Sequence, residues 1–289
     1  RGRGWTPGRA NPVAVAWEGR AKAGTAPLAG SPGQVHRAAR TRKPATIGRR
    51  LAAINSYHQA AGHSSPTISV EVRVVLSGIR RKKGAARARK KPFPVPELTR
   101  AVLAMPDTLL GVRNRALLLI GFTGALRRSE LVALRWDQLE LAGGQGGLKL
   151  TIGKSKTDQE GEGRAVGIPF GGNPATCPVR ALEAWRQASG LASGPVFRVV
   201  GRAGKVMEEP LSDKAVARLV KQAARAAGLN PEEFSGHSLR SGLATAAAAA
   251  GASERSIMQQ TGHRDLKTAR IYIRDGSLFL DNAAAKIDL

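Results

Sequence analysis

The sequence is poor in cysteine, in aromatic residues and in long apolar runs. Its single cysteine, Cys177, excludes a disulfide framework and a cysteine-rich zinc module. Aromatic residues make up only 4% of the chain, so the core must be built from Ala, Leu, Val and Ile. No run reaches the roughly 18 apolar residues of a membrane span, and residues 1–20 lack the apolar stretch of a signal peptide. With 289 residues, the chain is expected to form two domains. Its cysteine usage and the missing signal-peptide pattern predict that it is cytoplasmic.

Acidic residues are scarce in the first third of the chain. Residues 1–100 contain 21 basic and 3 acidic residues, whereas residues 101–289 contain 25 and 18. Most of the formal net charge of +25 therefore lies in the N-terminal part. Such an excess predicts a polyanionic partner, and nucleic acid is the natural candidate.

Composition divides the chain into three segments. Residues 1–45 mix Gly, Pro, Arg and Ala without a helical or strand period, so we expect them to be poorly structured. Residues 46–91 predict a small basic helical domain, and residues 92–289 predict a larger globular domain. Between them lies a linker with eight basic residues followed by three prolines. The basic residues, which we expect to contact the nucleic acid, are Arg80, Arg81, Lys82, Lys83, Arg87, Arg89, Lys90 and Lys91.

Two helices are predicted in the small domain. The first covers residues 47–61, with Thr46 as its N-cap. The second covers residues 68–81 and runs into the basic linker. The apolar residues that we expect this second helix to bury are Val70, Val74 and Ile79.

The larger domain is predicted to be helical with one small antiparallel sheet. Residues 148–152 and 166–168 alternate in hydrophobicity on either side of a charged stretch, which predicts a β-hairpin. One helix is predicted to end near residue 104, and two more are predicted to start at Asn173-Pro174 and after the N-cap Ser212. The other predicted helices cover residues 113–122, 128–134, 238–250, 254–261 and 266–274. The fold class is therefore mainly α with a small antiparallel β-sheet (α+β).

Each candidate functional residue has an ordinary structural explanation when it is considered alone. Arg127 lies where a Gly-broken turn becomes a helix, a place that suits anions but usually holds a solvated arginine. His237 and Arg240 lie one helical turn apart on a single face. Tyr272 lies in an Ile-Tyr-Ile context that is typical of core packing. These residues gain significance only as a set.

Known metal and nucleotide motifs are missing from the sequence. His237 and His263 lack HExxH spacing and have no cysteine or carboxylate cluster beside them. The chain has no GxxxxGKS/T loop for ATP, and Ser129 and Ser238 lack the G-x-S-x-G pattern of a nucleophile elbow. We therefore expect no metal and no cofactor.

As a set, the motifs resemble those of the tyrosine recombinases, the phage-integrase-type site-specific recombinases. The motifs are TGALRRSELVALRW, IGKSKTDQEG, HSLRSGLATAAAAAG and TGHRDLKTARIYIRD. Arg240 follows His237 by three positions, His263 follows Arg240 by 23 and Tyr272 follows His263 by nine, which is similar to the family's spacing. The resemblance covers about residues 46–289 and implies a helical core-binding domain followed by a catalytic domain. The positions that match the family's catalytic residues are Arg127, Lys156, His237, Arg240, His263 and Tyr272.

The resemblance implies that Tyr272 is a nucleophile that forms a 3′-phosphotyrosine. A phenol, with a pKa of about 10, is a fair nucleophile once it is deprotonated. Arg127 and Arg240 would bind the scissile phosphate in a bidentate manner and stabilise its developing charge. The bond energy would be conserved for rejoining, which needs neither metal nor ATP.

The other matching residues are implied to handle protons and to position groups. Lys156 would protonate the departing 5′-oxygen, and Lys154, two residues away, is the alternative. His237 would accept the proton of the tyrosine, and His263 would hydrogen-bond the phosphate. Glu130 would orient the histidine–arginine cluster.

The family implies double-stranded DNA as the partner and a homotetramer acting on two DNA sites. Residues 273–289 would then either dock on a neighbouring subunit or pack on their own domain. Only two of the family's four or so core-binding helices are predicted here, and residues 1–45 have an atypical composition. Besides an active recombinase, we therefore consider a DNA-binding remnant with impaired recombination and a type IB topoisomerase-like enzyme that nicks and rejoins DNA.

Overall fold

A computed structural model of the protein describes residues 42–84, 89–142, 146–153, 163–263 and 265–277. The described residues form two compact units, with the boundary between Ala88 and Arg89. Most of the atypical segment predicted over residues 1–45 lies outside the described residues. Among the helices that the structure describes, none has the length and apolar character needed to cross a membrane.

The first unit contains two helices joined by a short 3₁₀ turn. Helix α1 covers Pro44–Ala60 and helix α2 covers Val70–Lys83. A proline suits the first turn of a helix, because the N–H that it lacks would have no partner there. Helix α1 therefore begins before Thr46, and the prediction of Thr46 as its N-cap is wrong.

The buried face of α2 differs in part from the predicted one. Ile79 is buried as expected, but Val70 and Val74 are 61% and 59% exposed. Val72 is buried instead, and it packs with Ile79 and with Ile47 of α1. The first half of α2 contains four valines on different sides of the helix, so the sequence allows more than one face to be the buried one. The contact with α1 selects the face with the better helical spacing, which carries Val72, Val75, Leu76 and Ile79.

The second unit is mainly helical in its described residues, as predicted. Its helices are α3 (Val95–Leu103), α4 (Leu109–Thr123), α5 (Arg128–Ala133), α6 (Pro178–Ser189), α7 (Asp213–Ala226), α8 (His237–Ala249), α9 (Glu254–Thr261) and α10 (Leu266–Ser277). Its strands are β1 (Leu139–Ala142), β2 (Gly147–Ile152), β3 (Arg164–Pro169), β4 (Arg198–Val200) and β5 (Val206–Pro210). Ser212 caps α7 as predicted, whereas Asn173 caps a 3₁₀ turn and α6 begins later, at Pro178.

The predicted hairpin is formed by β2 and β3. These strands pair antiparallel, and β1 adds to the other edge of β2. The pairing places Arg164, the first residue of β3, opposite Ile152, the last residue of β2. The tip of the hairpin, which carries Lys154 and Lys156, lies outside the described residues.

A second, two-stranded sheet of β4 and β5 was not predicted. The prediction of a single small sheet is therefore wrong. Most residues of β1, β4 and β5 are exposed or half-buried, so these short strands lack the apolar alternation by which a strand is recognised in a sequence.

Helix α4 lies at the centre of the core of the second unit. Its residues from Ala116 to Phe122 are all buried, as expected for a helix covered on every side. Gly121 allows the close approach of α5 and α8, because a Cβ there would lie 2.8 Å from Leu131 and 3.0 Å from Leu239. The core thereby fixes the start of α8, which carries candidate site residues.

Candidate active site

The structure brings five of the six predicted catalytic residues into one site in the second unit. Arg127 immediately precedes α5, His237 and Arg240 lie in the first turn of α8, His263 follows α9, and Tyr272 lies in α10. Four of these positions are at or beside helix ends, whereas Tyr272 lies in the middle of α10.

The hydroxyl of Tyr272 lies 2.6 Å from Nε2 of His237, within hydrogen-bond distance. The Tyr272 ring also stacks on the ring of His263, with 6.1 Å between ring centroids and an interplanar angle of 15°. The hydroxyl of Thr261 lies 2.8 Å from Nδ1 of His263 and orients that ring. The phenol therefore contacts two imidazoles, and one of them, His237, is close enough to exchange a proton with it.

Tight packing of α10 against α8 sets the position of Tyr272. Tyr272 and Ile273 pack against a small cluster that includes Ala244 and Ala248 of α8. One turn later, a Cβ at Gly276 would lie only 2.2 Å from the carbonyl oxygen of Thr245. The absence of a side chain at Gly276 thus permits the close approach of the two helices.

Arg240 is a buried cation in the wall of the site. The residue is 2% exposed, and its Nη1 donates a hydrogen bond to the carbonyl oxygen of Ala125 at 2.8 Å. Ala125 has a φ of +47°, a left-handed conformation that is unusual for a residue with a side chain. Burial, followed by the positive charge of Arg127, lowers the pKa of Arg240 to about 10, so Arg240 stays charged at neutral pH. A carbonyl does not neutralise that charge, which leaves Arg240 suited to bind an anion.

Glu130 is a buried carboxylate that holds two arginines. It accepts a hydrogen bond from the backbone N–H of Arg127 at 2.9 Å and a second from the Arg127 guanidinium. It also accepts one from Nη2 of Arg164 at 3.2 Å. Burial raises the pKa of Glu130, but the hydrogen bonds from Arg127 and the charges of Arg127 and Arg164 outweigh it and lower the pKa overall.

Glu130 contacts one arginine of the predicted cluster. We expected Glu130 to orient the histidine–arginine cluster, and its hydrogen bonds go to Arg127, a member of that cluster, and to Arg164. The reason is local, because Glu130 is the third residue of α5 and caps the backbone N–H of the residue before the helix. Its carboxylate is thereby turned towards Arg127.

Arg164 is a site residue that the sequence did not reveal. Its partners, Glu130 and Gln260, are 34 and 96 residues away in the chain, so no motif spacing connects them. The available signal was a single arginine at the start of an otherwise uncharged strand, RAVGIP.

Both histidines of the site bind protons weakly. Partial burial of the ring, followed by the charges of Arg240, Arg127 and Arg128, lowers the pKa of His237. The same cause, followed by the charges of Arg240, Arg127, His237 and Arg164, lowers the pKa of His263 to about 4. Both imidazoles are therefore neutral at pH 7, and a neutral His237 can accept the proton of a phenol.

We predict that the lowered pKa values of His237 and His263 can be measured in the protein without DNA. In a histidine NMR titration, His263 should titrate at about pH 4 and His237 below 6.5, and both midpoints should rise in Arg127→Gln, which removes a positive charge. Because both histidine pKa values are lower in the folded chain than in the unfolded chain, the unfolded chain binds more protons between about pH 6.5 and 4. The free energy of unfolding should therefore fall as the pH falls through this range. A His263 midpoint near 6.5 would contradict the described arrangement.

The basic residues predicted to contact DNA fall in both units. Arg80, Arg81, Lys82 and Lys83 form the last turn of α2, Arg89, Lys90 and Lys91 precede α3, and Arg87 lies outside the described residues. Lys91 forms an ion pair of 2.9 Å with Glu233, and Lys90 donates to the carbonyl oxygen of Glu232. In the described part of the chain, no group of three or more His, Cys, Asp or Glu side chains is arranged to hold a metal ion.

Residues 95–277 match the phage integrase family. The chain is 39% identical over 245 residues to an integrase/recombinase xerD homolog of Selenomonas ruminantium, an alignment that covers 83% of this chain and 71% of that protein. It is 33% identical over 194 residues to the tyrosine recombinase XerC of Xanthomonas axonopodis pv. citri (strain 306), covering 65% of this chain. The chain spans 57% of the length of that relative.

The fold is similar to that of a solved recombinase structure. The structure of the XerH site-specific recombinase bound to palindromic difH substrate, a post-cleavage complex, matches with a TM-score of 0.54 and 18% sequence identity. The match covers 86% of this chain and 74% of the other.

Proposed function

The chain belongs to the phage integrase family of tyrosine recombinases, enzymes that cleave and rejoin DNA, and we propose that Tyr272 is its nucleophile. The observation that carries the proposal is the 2.6 Å approach of the Tyr272 hydroxyl to Nε2 of His237, beside two arginines. The DNA is double-stranded, and the reaction is site-specific recombination.

Cleavage begins with transfer of the Tyr272 phenol proton to Nε2 of His237. The phenolate oxygen attacks the phosphorus of the scissile phosphate, a new O–P bond forms, and the bond from phosphorus to the 5′-oxygen breaks. The products are a 3′-phosphotyrosine and a 5′-hydroxyl. By the family resemblance, Lys156 of the hairpin tip, or alternatively Lys154, supplies the proton that the 5′-oxygen takes up.

The two arginines stabilise the charge that develops on the phosphate during the attack. Arg240 is buried and charged, and Arg127 is held by Glu130, so both guanidiniums are oriented before DNA binds. Such pre-oriented donors stabilise a transition state by about 3 kcal/mol each. We propose that His263, whose ring lies against the Tyr272 ring, hydrogen-bonds a phosphate oxygen.

Rejoining is the reverse of cleavage with a 5′-hydroxyl from a partner duplex. One phosphodiester is exchanged for another at each step, so the reaction requires neither ATP nor a reducing or oxidising cofactor. Strand exchange between two duplexes requires a cleaving subunit at each of four strands. We therefore assign a homotetramer on two DNA sites as the active form, in the cytoplasm where that DNA lies.

A suicide substrate tests this function. Nicked duplexes covering the DNA that flanks the gene would be incubated with the protein in EDTA and without ATP. A nick close to the scissile phosphate lets the short 5′-hydroxyl fragment diffuse away, so the covalent protein–DNA complex accumulates. We expect a complex that survives denaturation on at least one duplex. Binding to these duplexes without any covalent complex would contradict the proposal and favour a DNA-binding remnant.

The packing at Gly276 leads to a prediction. In Gly276→Ala the new Cβ would meet the carbonyl oxygen of Thr245, so α10 must move and carry Tyr272 away from His237. A displacement of about 1 Å in a reacting group costs about 100-fold in rate. We therefore expect about 100-fold slower formation of the covalent complex with DNA binding retained. The matched control is Gly172→Ala, where a Cβ meets nothing within 4 Å. Equal rates for the two variants would show that this packing does not position Tyr272.

A further inference from the structure

Arg164 connects parts of the site that are far apart in the chain. It is the first residue of β3, and its Nη2 donates to Oε2 of Glu130 at 3.2 Å. Its Nη1 donates to the carbonyl oxygen of Gln260, near the end of α9, at 3.0 Å. The side chain is 21% exposed, so these hydrogen bonds are mostly shielded from water.

On one side, Arg164 acts on Arg127 through Glu130. The carboxylate of Glu130 is 3% exposed and receives both guanidiniums. A buried carboxylate is stable only if it is paired and hydrogen-bonded. Arg164 therefore fixes the carboxylate in the orientation that holds Arg127, although Arg164 itself makes no hydrogen bond to Arg127 among the described contacts.

On the other side, Arg164 lies against the turn that places His263. Gly262 ends α9 with a φ of +63°, a left-handed conformation. A Cβ at Gly262 would lie 2.8 Å from Nε and 2.9 Å from Cδ of Arg164. The Arg164 side chain thus fills the space over this turn, directly beside His263.

From these contacts we infer that Arg164 is a positioning residue, which holds Arg127 through Glu130 and the His263 turn through Gln260 and Gly262 in one arrangement. The inference rests on the proposed function. Arg164 does not touch the reacting atoms, so it acts through the residues that do. Strand β3, which belongs to the hairpin with the lysine-bearing tip, thereby anchors both Arg127 and the turn that precedes His263.

Charge alone does not explain the arrangement. A lysine at position 164 would keep the positive charge, but an ammonium on a single stem cannot donate in the planar, two-pronged manner that reaches both Glu130 and Gln260. Arg164→Lys therefore separates geometry from charge. If geometry matters, this conservative variant is impaired.

Arg198 provides a matched control. Like Arg164, it begins a β-strand, donates from Nη2 to a backbone carbonyl oxygen, at Ser193, and packs against a glycine with positive φ, Gly194. The Nε atoms of both arginines are buried without a hydrogen-bond partner in the structure. Arg198→Lys therefore tests the loss of a guanidinium at a strand start without touching the site.

The test compares Arg164→Lys and Arg198→Lys with the wild-type chain on the nicked duplex that gives a covalent complex. We expect Arg164→Lys to form the complex 10- to 100-fold more slowly, with its DNA dissociation constant within twofold of wild type. Arg198→Lys should react at the wild-type rate, whatever its melting temperature. A rate for Arg164→Lys within twofold of wild type would overturn the inference, as would an equal loss in Arg198→Lys.

A double-mutant cycle with Glu130 guards against a variant that fails to fold. Arg164→Gln leaves part of a buried carboxylate unpaired, whereas Glu130→Gln with Arg164→Gln leaves no such charge. Because Arg164 is inferred to hold Arg127 through Glu130, Arg164→Gln should slow the reaction less in the Glu130→Gln variant than in wild type. Additive effects would overturn the part of the inference that passes through Glu130. If the wild-type chain itself formed no complex, the proposed function would fail instead, so the two failures are distinguishable.

Discussion

Tyr272→Phe is expected to abolish the covalent protein–DNA complex while leaving DNA binding intact. The substitution removes the oxygen that we propose attacks phosphorus, and it retains the ring that stacks on His263. Loss of the hydrogen bond to His237 should change the free energy of unfolding by only about 1 kcal/mol. The complex should fall below detection, a loss of at least about 10⁴-fold for a missing nucleophile.

The chain offers an exact chemical control for this substitution. Its only other tyrosine is Tyr57, in α1, which is 57% exposed. Tyr57→Phe should form the complex at the wild-type rate. The measurement is denaturing electrophoresis of labelled DNA after incubation with each variant, with binding followed in parallel by native electrophoresis. A residual complex in Tyr272→Phe that is comparable to wild type would rule out Tyr272 as the nucleophile.

Arg240→Lys is expected to slow formation of the covalent complex by about 100- to 1000-fold. The variant keeps a positive charge but loses the planar guanidinium, which can hold a phosphate through two N–H groups while it donates to the carbonyl oxygen of Ala125. Because the effect lies in the transition state, DNA affinity should change far less than the rate.

Arg113 is the matched control for Arg240. It is also a buried arginine of the second unit, 7% exposed, with a pKa lowered by burial to about 10, and it donates to the carbonyl oxygen of Arg198. Arg113→Lys should lower the melting temperature to a similar degree yet keep the wild-type rate per folded molecule. Equal rate losses in the two variants would show that Arg240 acts through stability alone.

The parts of the protein that follow a local rule were predictable from the sequence. The helix from residue 254 to 261 has Ser253 before it and Gly262 after it, and the observed bounds, Glu254–Thr261, are those predicted. The hairpin strands alternate strictly, with Leu148, Leu150 and Ile152 buried. The site residues were found as candidates because their spacing resembles a family pattern, not because any one of them is distinctive.

The parts that were missed depend on contacts between distant segments. Arg164 could not be connected to Glu130 or to Gln260, because only folding brings the three together. The buried face of α2 depends on which of its valines meets Ile47 of α1.

Mapping the site of DNA attachment tests the central claim most directly. The covalent complex from the nicked duplex would be digested with nuclease and trypsin, and the peptide that retains nucleotide would be sequenced by mass spectrometry. Cleavage after Arg270 and Arg274 isolates residues 271–274, which contain a single tyrosine. The account predicts a nucleotide linked through phosphate to Tyr272. A nucleotide on Tyr57, or on any serine of the chain, would contradict it.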